Sequence, residues 1–140
     1  MKDIISFNER SSIASRVIIW KSAGKMLSDN GFLGIGPNNF QERYLLNQKY
    51  YPPYLEWAVP HPHSTYLAFW LGGGVVAFLT FLIMLFWWFR EYICQNKKET
   101  ILGIVSLGII TYFLFHGIAD TTYFKNDLAV IFWLAFFSLR

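Results

Sequence analysis

Apolar side chains crowd the second half of this chain in long unbroken runs. Residues 65–89 form 25 consecutive positions without a charged side chain, and residues 101–119 form another 19 in which His116 is the only acidic or basic side chain apart from the Tyr112 phenol. Both exceed the roughly 18 apolar residues that mark a candidate spanning helix. A third run, residues 128–139, has 12 positions. As a helix it would rise about 18 Å, short of the roughly 30 Å hydrocarbon thickness. The pattern predicts an all-α integral membrane protein with two to three spanning helices, the third truncated or re-entrant. Gly72, Gly73 and Gly74 fall inside the first span, where small residues let a helix bend or a neighbour approach closely, and close packing is the expectation.

Residues 1–64 alternate differently. SSIASRVIIWKSAGKMLSDNG, residues 11–31, reads as a helix with Ser11 or Ser12 as N-cap and Gly31 just past its end. Ile13, Val17, Trp20, Gly24 and Leu27 recur at helical spacing and predict one apolar stripe. GFLGIGPNNF is a glycine-proline turn, after which Asn38 or Asn39 can cap a second helix through QERYLLNQKYY. The remainder, PPYLEWAVPHPHS, is proline-rich and extended and ends where Ser64 can cap the first span. The chain therefore divides into a helical loop region, 1–64, and a transmembrane region, 65–140.

Composition sharpens this picture. With 54% hydrophobic, 20% aromatic and only 15% charged residues, the chain is too apolar for an ordinary soluble domain of its length. The net charge of +3 comes from scattered lysines and arginines that form no basic face, so no nucleic-acid partner is expected. Arg90, Lys97 and Lys98 flank the ends of the first two spans and predict that their connecting loop is cytoplasmic, which puts residues 1–64 on the outer side. No apolar leader is expected from MKDIISFNERSS. The single cysteine, Cys94, rules out an internal disulfide framework and a thiolate metal cage, and is expected to be a bystander in a short loop. Gly31, Gly34 and Gly36 lack the spacing of a nucleotide loop. Tyr50 to Trp57, with Phe69 and Trp70, are expected to form an interfacial aromatic belt.

The ionisable groups converge in depth. His61 and His63 stand at the outer mouth of the first span, and the second span reaches that level near His116 and Asp120. His116 and Asp120 are four apart and share a helical face. In the extended PHPH segment, alternate histidines point to one side. Ionisable groups at the rim of a span are costly and by default suggest function. Each has a structural alternative: His61 shaping a proline turn, His116 as a buried hydrogen-bonded side chain, Asp120 as a cap. Three histidines and an aspartate at one level are also ligands of the kinds a metal site uses.

In order and spacing, these pieces resemble the C-terminal half of the O-antigen ligase and polymerase superfamily of bacterial membrane proteins. The pattern there is an arginine and a tryptophan four apart on a helix, a G-x-G-P turn followed by phenylalanine and tyrosine, an H-P-H-N-x-Y-L segment opening a span, a glycine in that span, and a later H-x-x-x-D. Here these are Arg16 and Trp20; Gly34, Gly36, Pro37, Phe40 and Tyr44; His61, Pro62, His63, Tyr66 and Leu67; Gly74; and His116 with Asp120. Ser64, Gly72 and Ala77 depart from it, standing where asparagine, an acidic residue and a second glycine are commoner. Family members have many more spanning helices than this chain supplies, so it is expected to be a fragment whose N-terminal half is missing.

The resemblance implies a GT-C-like multi-spanning fold in the bacterial inner membrane and a glycosyl transfer that needs neither metal nor other cofactor. The donor would be a glycan on undecaprenyl pyrophosphate, and the acceptor a sugar hydroxyl on lipid A core or on another carrier-linked glycan. By motif position His63 is the base or the hydrogen-bonding partner of the pyrophosphate, and Arg16 and His61 bind the pyrophosphate. Asp120 and His116 support them. Arg43 has the right charge but reads as a solvated helix face. A histidine with a pKa of about 6.5 can take a proton near neutrality, and a planar guanidinium grips phosphate oxygens in pairs. Two other classes share these residues: a small non-enzymatic membrane protein that binds metal or senses pH at its histidine rim, and an assembly subunit docking through its glycines.

Overall fold

The computed structural model describes residues 12–30, 33–52, 59–94 and 100–138, and among them all regular structure is helical. The helices are α1 (Ser12–Asp29), α2 (Phe40–Asn47), α3 (Thr65–Cys94), α4 (Ile101–Ala119) and α5 (Asn126–Phe137). Short 3₁₀ turns follow α2, at Gln48–Tyr50, and precede α5, at Thr122–Phe124. Two helices, α3 and α4, are long and apolar enough to cross a membrane, and α5 is a shorter apolar helix. Ser11, Gly31, Trp57, Lys97 and Lys98, to which the sequence assigns caps, belt or flanking charge, lie outside the described residues.

The first span is longer than its uncharged run and is broken. Gly74 has φ 71 and ψ −172, so α3 consists of two arms. The arm after the break, residues 75–94, would rise about 30 Å at roughly 1.5 Å per residue, which alone matches a hydrocarbon core. Cys94 is the exposed last residue of this arm rather than part of a loop. A break in a helix frees backbone carbonyls, which need new donors. The G-x-G loop supplies them: Ile35 and Gly36 both donate their N–H to the Leu71 carbonyl, at 2.7 and 3.2 Å.

Glycine is required on both sides of this joint. Gly34 (φ 84) packs so closely that an added Cβ would stand 2.6 Å from the Leu71 carbonyl oxygen and 2.8 Å from that of Trp70. A Cβ on Gly74 would run into the carbonyl of Leu33. The span glycines therefore serve a bend as well as the packing expected of them, and the close neighbour is a loop. Gly72 has open space around it.

Two hydrophobic cores result. One joins the long arm of α3 to α4 and α5 through Phe81, Leu85, Trp88, Ile110, Phe113 and Phe132. The other joins α1, α2 and the short arm of α3 through Ile19, Ala23, Met26, Phe40, Tyr44, Val59 and Leu71. Phe69 stacks on Phe81 at 4.3 Å and Trp70 on Phe78 at 4.9 Å. Phe69 and Trp70 are thus partly buried against these cores. Outside the cores, α3 and α4 expose Val76, Phe86, Trp87, Ile101 and Phe115, a surface suited to lipid or to further helices rather than water.

The predicted stripe on α1 is displaced. The buried residues are Ser15, Ile19, Ser22, Ala23, Met26 and Leu27, while Ile13 is 62% exposed and Gly24 is also outside. Val17, Ile18, Ile19 and Trp20 run consecutively, so periodicity alone does not choose a face. Small residues decide it, because Ser22 and Ala23 let neighbouring segments come close. The second helix also starts without the expected side-chain cap. Asn39 occupies the N-cap position, but its amide donates backward to the Ile35 carbonyl at 2.8 Å, and Asn38 takes a left-handed φ of 62.

Two expected outcomes follow from the glycine joint. Gly34→Ala and Gly74→Ala should each lose about 2 kcal/mol or more, from left-handed strain plus collision with a carbonyl. Gly72→Ala should be neutral or gain up to about 1 kcal/mol from helix propensity. Thermal unfolding of the detergent-solubilised chain, followed by circular dichroism, separates the three.

Candidate active site

The start of α3 and the end of α4 are clasped together. Ser64 donates its hydroxyl to the Gly117 carbonyl at 3.4 Å, and Thr65 donates both its N–H and its hydroxyl to the Asp120 carbonyl at 3.1 Å. One turn further, the Tyr66 hydroxyl reaches the Leu114 carbonyl at 3.0 Å. A helix C-terminus leaves carbonyls without partners, and here a neighbouring chain segment satisfies them. Ser64 thus occupies the predicted cap position, its carbonyl taking the Ala68 N–H, but spends its hydroxyl across the helix pair. Gly117 permits the approach, since a Cβ there would lie 3.2 Å from the Thr65 side chain.

This clasp sets His63 beside Asp120. His63 Nδ1 lies 3.8 Å from Asp120 Oδ1, and His116 Nε2 lies 3.7 Å from Oδ2. His61 meets His63 edge to face with ring centroids 4.5 Å apart. The segment is not simply extended, because His63 has φ 45, a strained region for a side-chain-bearing residue. Trp20 on α1 holds the carbonyl of the same residue with its indole N–H at 3.3 Å. His116 is not buried, as one reading had it: its side chain is 45% exposed and stacks on Tyr112 at 5.2 Å. Asp120 is also a cap by position, its N–H bonded to the His116 carbonyl.

Lys125 also reaches Asp120, although no sequence motif singles it out. Its Nζ lies 2.7 Å from Asp120 Oδ2, and the Thr121 N–H lies 2.8 Å from Oδ1. The signal was a basic residue five positions after the aspartate, which a straight helix would not bring back. The 3₁₀ turn does. Among the described residues, no group of three or more His, Cys, Asp or Glu is arranged to hold a metal ion, and the ammonium of Lys125 occupies one side of the carboxylate.

Arg16 lies one helical turn before Trp20 and therefore on the same face of α1. It makes no ion pair among the described residues. The structure thus brings His61, His63, His116 and Asp120 together, while Arg16 stands one turn from the Trp20 that holds the His63 carbonyl. Arg43 is exposed on α2, as a solvated helix face requires. A cavity of about 330 Å³ opens between the 35–40 loop, the 60–62 segment and the short arm of α3, with His61, Thr121 and Phe124 on its wall.

Burial pushes the Asp120 carboxyl up, but the Lys125 and Thr121 hydrogen bonds, with the charges of Lys125 and His63, outweigh it and hold the group below its ordinary 3.8. Burial, reinforced by the neighbouring His63 and opposed by Asp120, holds His61 below 6.5. In both cases the unfolded chain binds the proton more readily, so acidification destabilises the fold. The thermal midpoint should begin to drop as pH falls below 6.5, through His61, and drop again below 3.8, through Asp120. His61→Asn should remove the first decline and Asp120→Asn the second, read by unfolding scans across pH.

Comparison with known proteins agrees with the motifs. The family profile described as O-antigen ligase matches residues 1–82, more than half of the 140 residues. The match takes in the Arg16 and Trp20 pair, the G-x-G-P loop, both histidines of the His-Pro-His segment and the Gly74 break. His116, Asp120 and Lys125 lie beyond it. No curated protein and no solved structure matches the chain. A profile match of this extent, over a chain with two helices able to cross a membrane, makes it a membrane protein that belongs to the O-antigen ligase family.

Proposed function

We propose that the chain carries the C-terminal part of a lipid-linked glycan transferase, with His63 as the base of its active site. The observation that supports this most strongly is the position of His63. Its ring faces a carboxylate that is held below its ordinary range, at the shared end of the two membrane-length helices. In this reading residues 1–64 and the α3–α4 junction lie on the outer side of the bacterial inner membrane, within a GT-C-like multi-spanning fold. Arg90, exposed near the far end of α3, belongs to the cytoplasmic side by the positive-inside rule.

A glycan donor on undecaprenyl pyrophosphate keeps its isoprenoid tail in the bilayer, so its pyrophosphate and first sugar sit at headgroup depth. The acceptor hydroxyl, on lipid A core or on another carrier-linked glycan, bonds through its oxygen to the anomeric carbon. The bond from that carbon to the phosphate oxygen breaks, the lipid pyrophosphate leaves with the electron pair, and the hydroxyl proton passes to His63. With Nδ1 toward Asp120, Nε2 is the nitrogen free to accept it. A separation of 3.8 Å is beyond hydrogen-bond range, so Asp120 acts by charge, favouring the imidazolium as it forms. Arg16 supplies a permanent cation for the pyrophosphate. His61, held neutral near pH 7 by burial, contributes a hydrogen bond to the phosphate rather than a charge. His116 adds a second contact to Asp120.

In proteoliposomes holding the full chain, an undecaprenyl-pyrophosphate-linked oligosaccharide and a sugar-lipid acceptor, His63→Ala should reduce transfer by about 100-fold or more, the usual contribution of a general base. Transfer at the unmodified rate by His63→Ala would remove it from the chemistry. EDTA should leave both transfer and the unfolding midpoint unchanged; loss of both would favour a metal site at the histidine rim.

A further inference from the structure

Asp120 faces charged or titratable groups from several elements. His63, with His61 behind it, approaches from the segment before α3, and His116 from α4. Lys125 approaches from the start of α5. From α3 come only the N–H and hydroxyl of Thr65, which bind the backbone carbonyl. From α1 comes Trp20, on the His63 carbonyl, with Arg16 a turn away. Asp127 is exposed in the first turn of α5. Of the groups bonded to the carboxylate, Lys125 is the one that brings an ammonium.

The backbone delivers Lys125 firmly. Phe124 N–H bonds the Thr121 carbonyl at 3.0 Å, and Lys125 N–H bonds that of Thr122 at 3.2 Å. The Lys125 carbonyl accepts the Ala129 N–H at 2.9 Å. Thr121 and Thr122 beneath the turn are at most 1% exposed. The turn and the first turn of α5 therefore anchor the lysine on either side. Each carboxylate oxygen then has one short bond: Oδ1 from the Thr121 N–H and Oδ2 from the Lys125 ammonium. These two bonds fix the carboxylate plane, which presents one oxygen to His63 and the other to His116.

We propose that Lys125 is a positioning residue for the transfer reaction: by holding Asp120 in place and offsetting its charge, it sets how strongly the carboxylate acts on His63. This rests on the reading of His63 as the base. Without the ammonium, the carboxylate has a single short bond about which it can turn, and its full negative charge falls on the two histidines. An unneutralised carboxylate beside an imidazole favours the imidazolium. His63 would then retain its proton to higher pH, and less of it would be available as base at neutrality.

The test follows the histidine signals of the full chain in lipid nanodiscs by NMR, with His63 assigned as the signal that His63→Ala abolishes. Lys125→Met should move the His63 midpoint upward by roughly one pH unit relative to the unmodified chain, and the acid limb of transfer should move with it. Lys125→Arg, which keeps the charge, should hold both in place. In an Asp120→Asn background, Lys125→Met should add much less, because most of the effect runs through that carboxylate. Lys125→Gln provides the same measurement if the methionine variant does not fold. A His63 midpoint that stays put in the neutral variant, or that moves equally with Asp120→Asn present, overturns the proposal. A midpoint that moves while the acid limb of transfer does not supports the hold of Lys125 on the site and removes His63 as the base.

Discussion

The site depends on one interaction: the residues that open α3 satisfy carbonyls at the end of α4. Ser64, Thr65 and Tyr66 together make four hydrogen bonds to Leu114, Gly117 and Asp120. Within an apolar environment, a helix end without partners is expensive, so these bonds fix the relative height of two long helices. His63 precedes the clasp by one residue and Asp120 is part of it. The approach of the His63 ring to the Asp120 carboxylate is therefore set largely by backbone geometry.

A second joint ties the loop region to the same frame. The break at Gly74 leaves the Leu71 carbonyl without its helical donor, and the N–H groups of Ile35 and Gly36 replace it. The G-x-G loop and the span glycine are thereby two halves of one joint. The short arm of α3, held at one end by the clasp and at the other by this joint, contributes Leu71 to the core beneath α1 and α2. That core carries Trp20 to the His63 carbonyl and leaves Arg16 one turn away. Both joints bear on a cavity whose wall includes Gly36, His61, Leu71 and Thr121. Loop, histidines and the α4–α5 turn are thus parts of one small frame.

Much of this was legible in the chain because membrane burial is a crude, strong signal. Long uncharged runs located α3, α4 and α5, and the i, i+4 spacing of His116 and Asp120 brought them together as it should. Other features were illegible for specific reasons. The buried face of α1 escaped periodicity because Val17 to Trp20 are apolar all round, and Ser15, Ser22 and Ala23 share the inner surface with Ile19, Met26 and Leu27. His116 was read as a candidate for burial, yet stacking on Tyr112 leaves it nearly half exposed. Lys125 is not legible as a partner of Asp120, because a residue five positions away does not meet its partner on a straight helix.

What the sequence by itself determined is which segments avoid water and which side chains can hold or move a proton. Those are properties of residue type and local period, and they survive in any arrangement of the helices. What only the tertiary structure decided is where backbone groups without helical partners find new ones, Leu71 at the loop and Gly117 and Asp120 at the start of α3, and that the Asp120 side chain meets Lys125. Such bonds join residues far apart in the chain or across a turn. No local pattern encodes them, because they arise where two helix ends, each costly alone, complete one another.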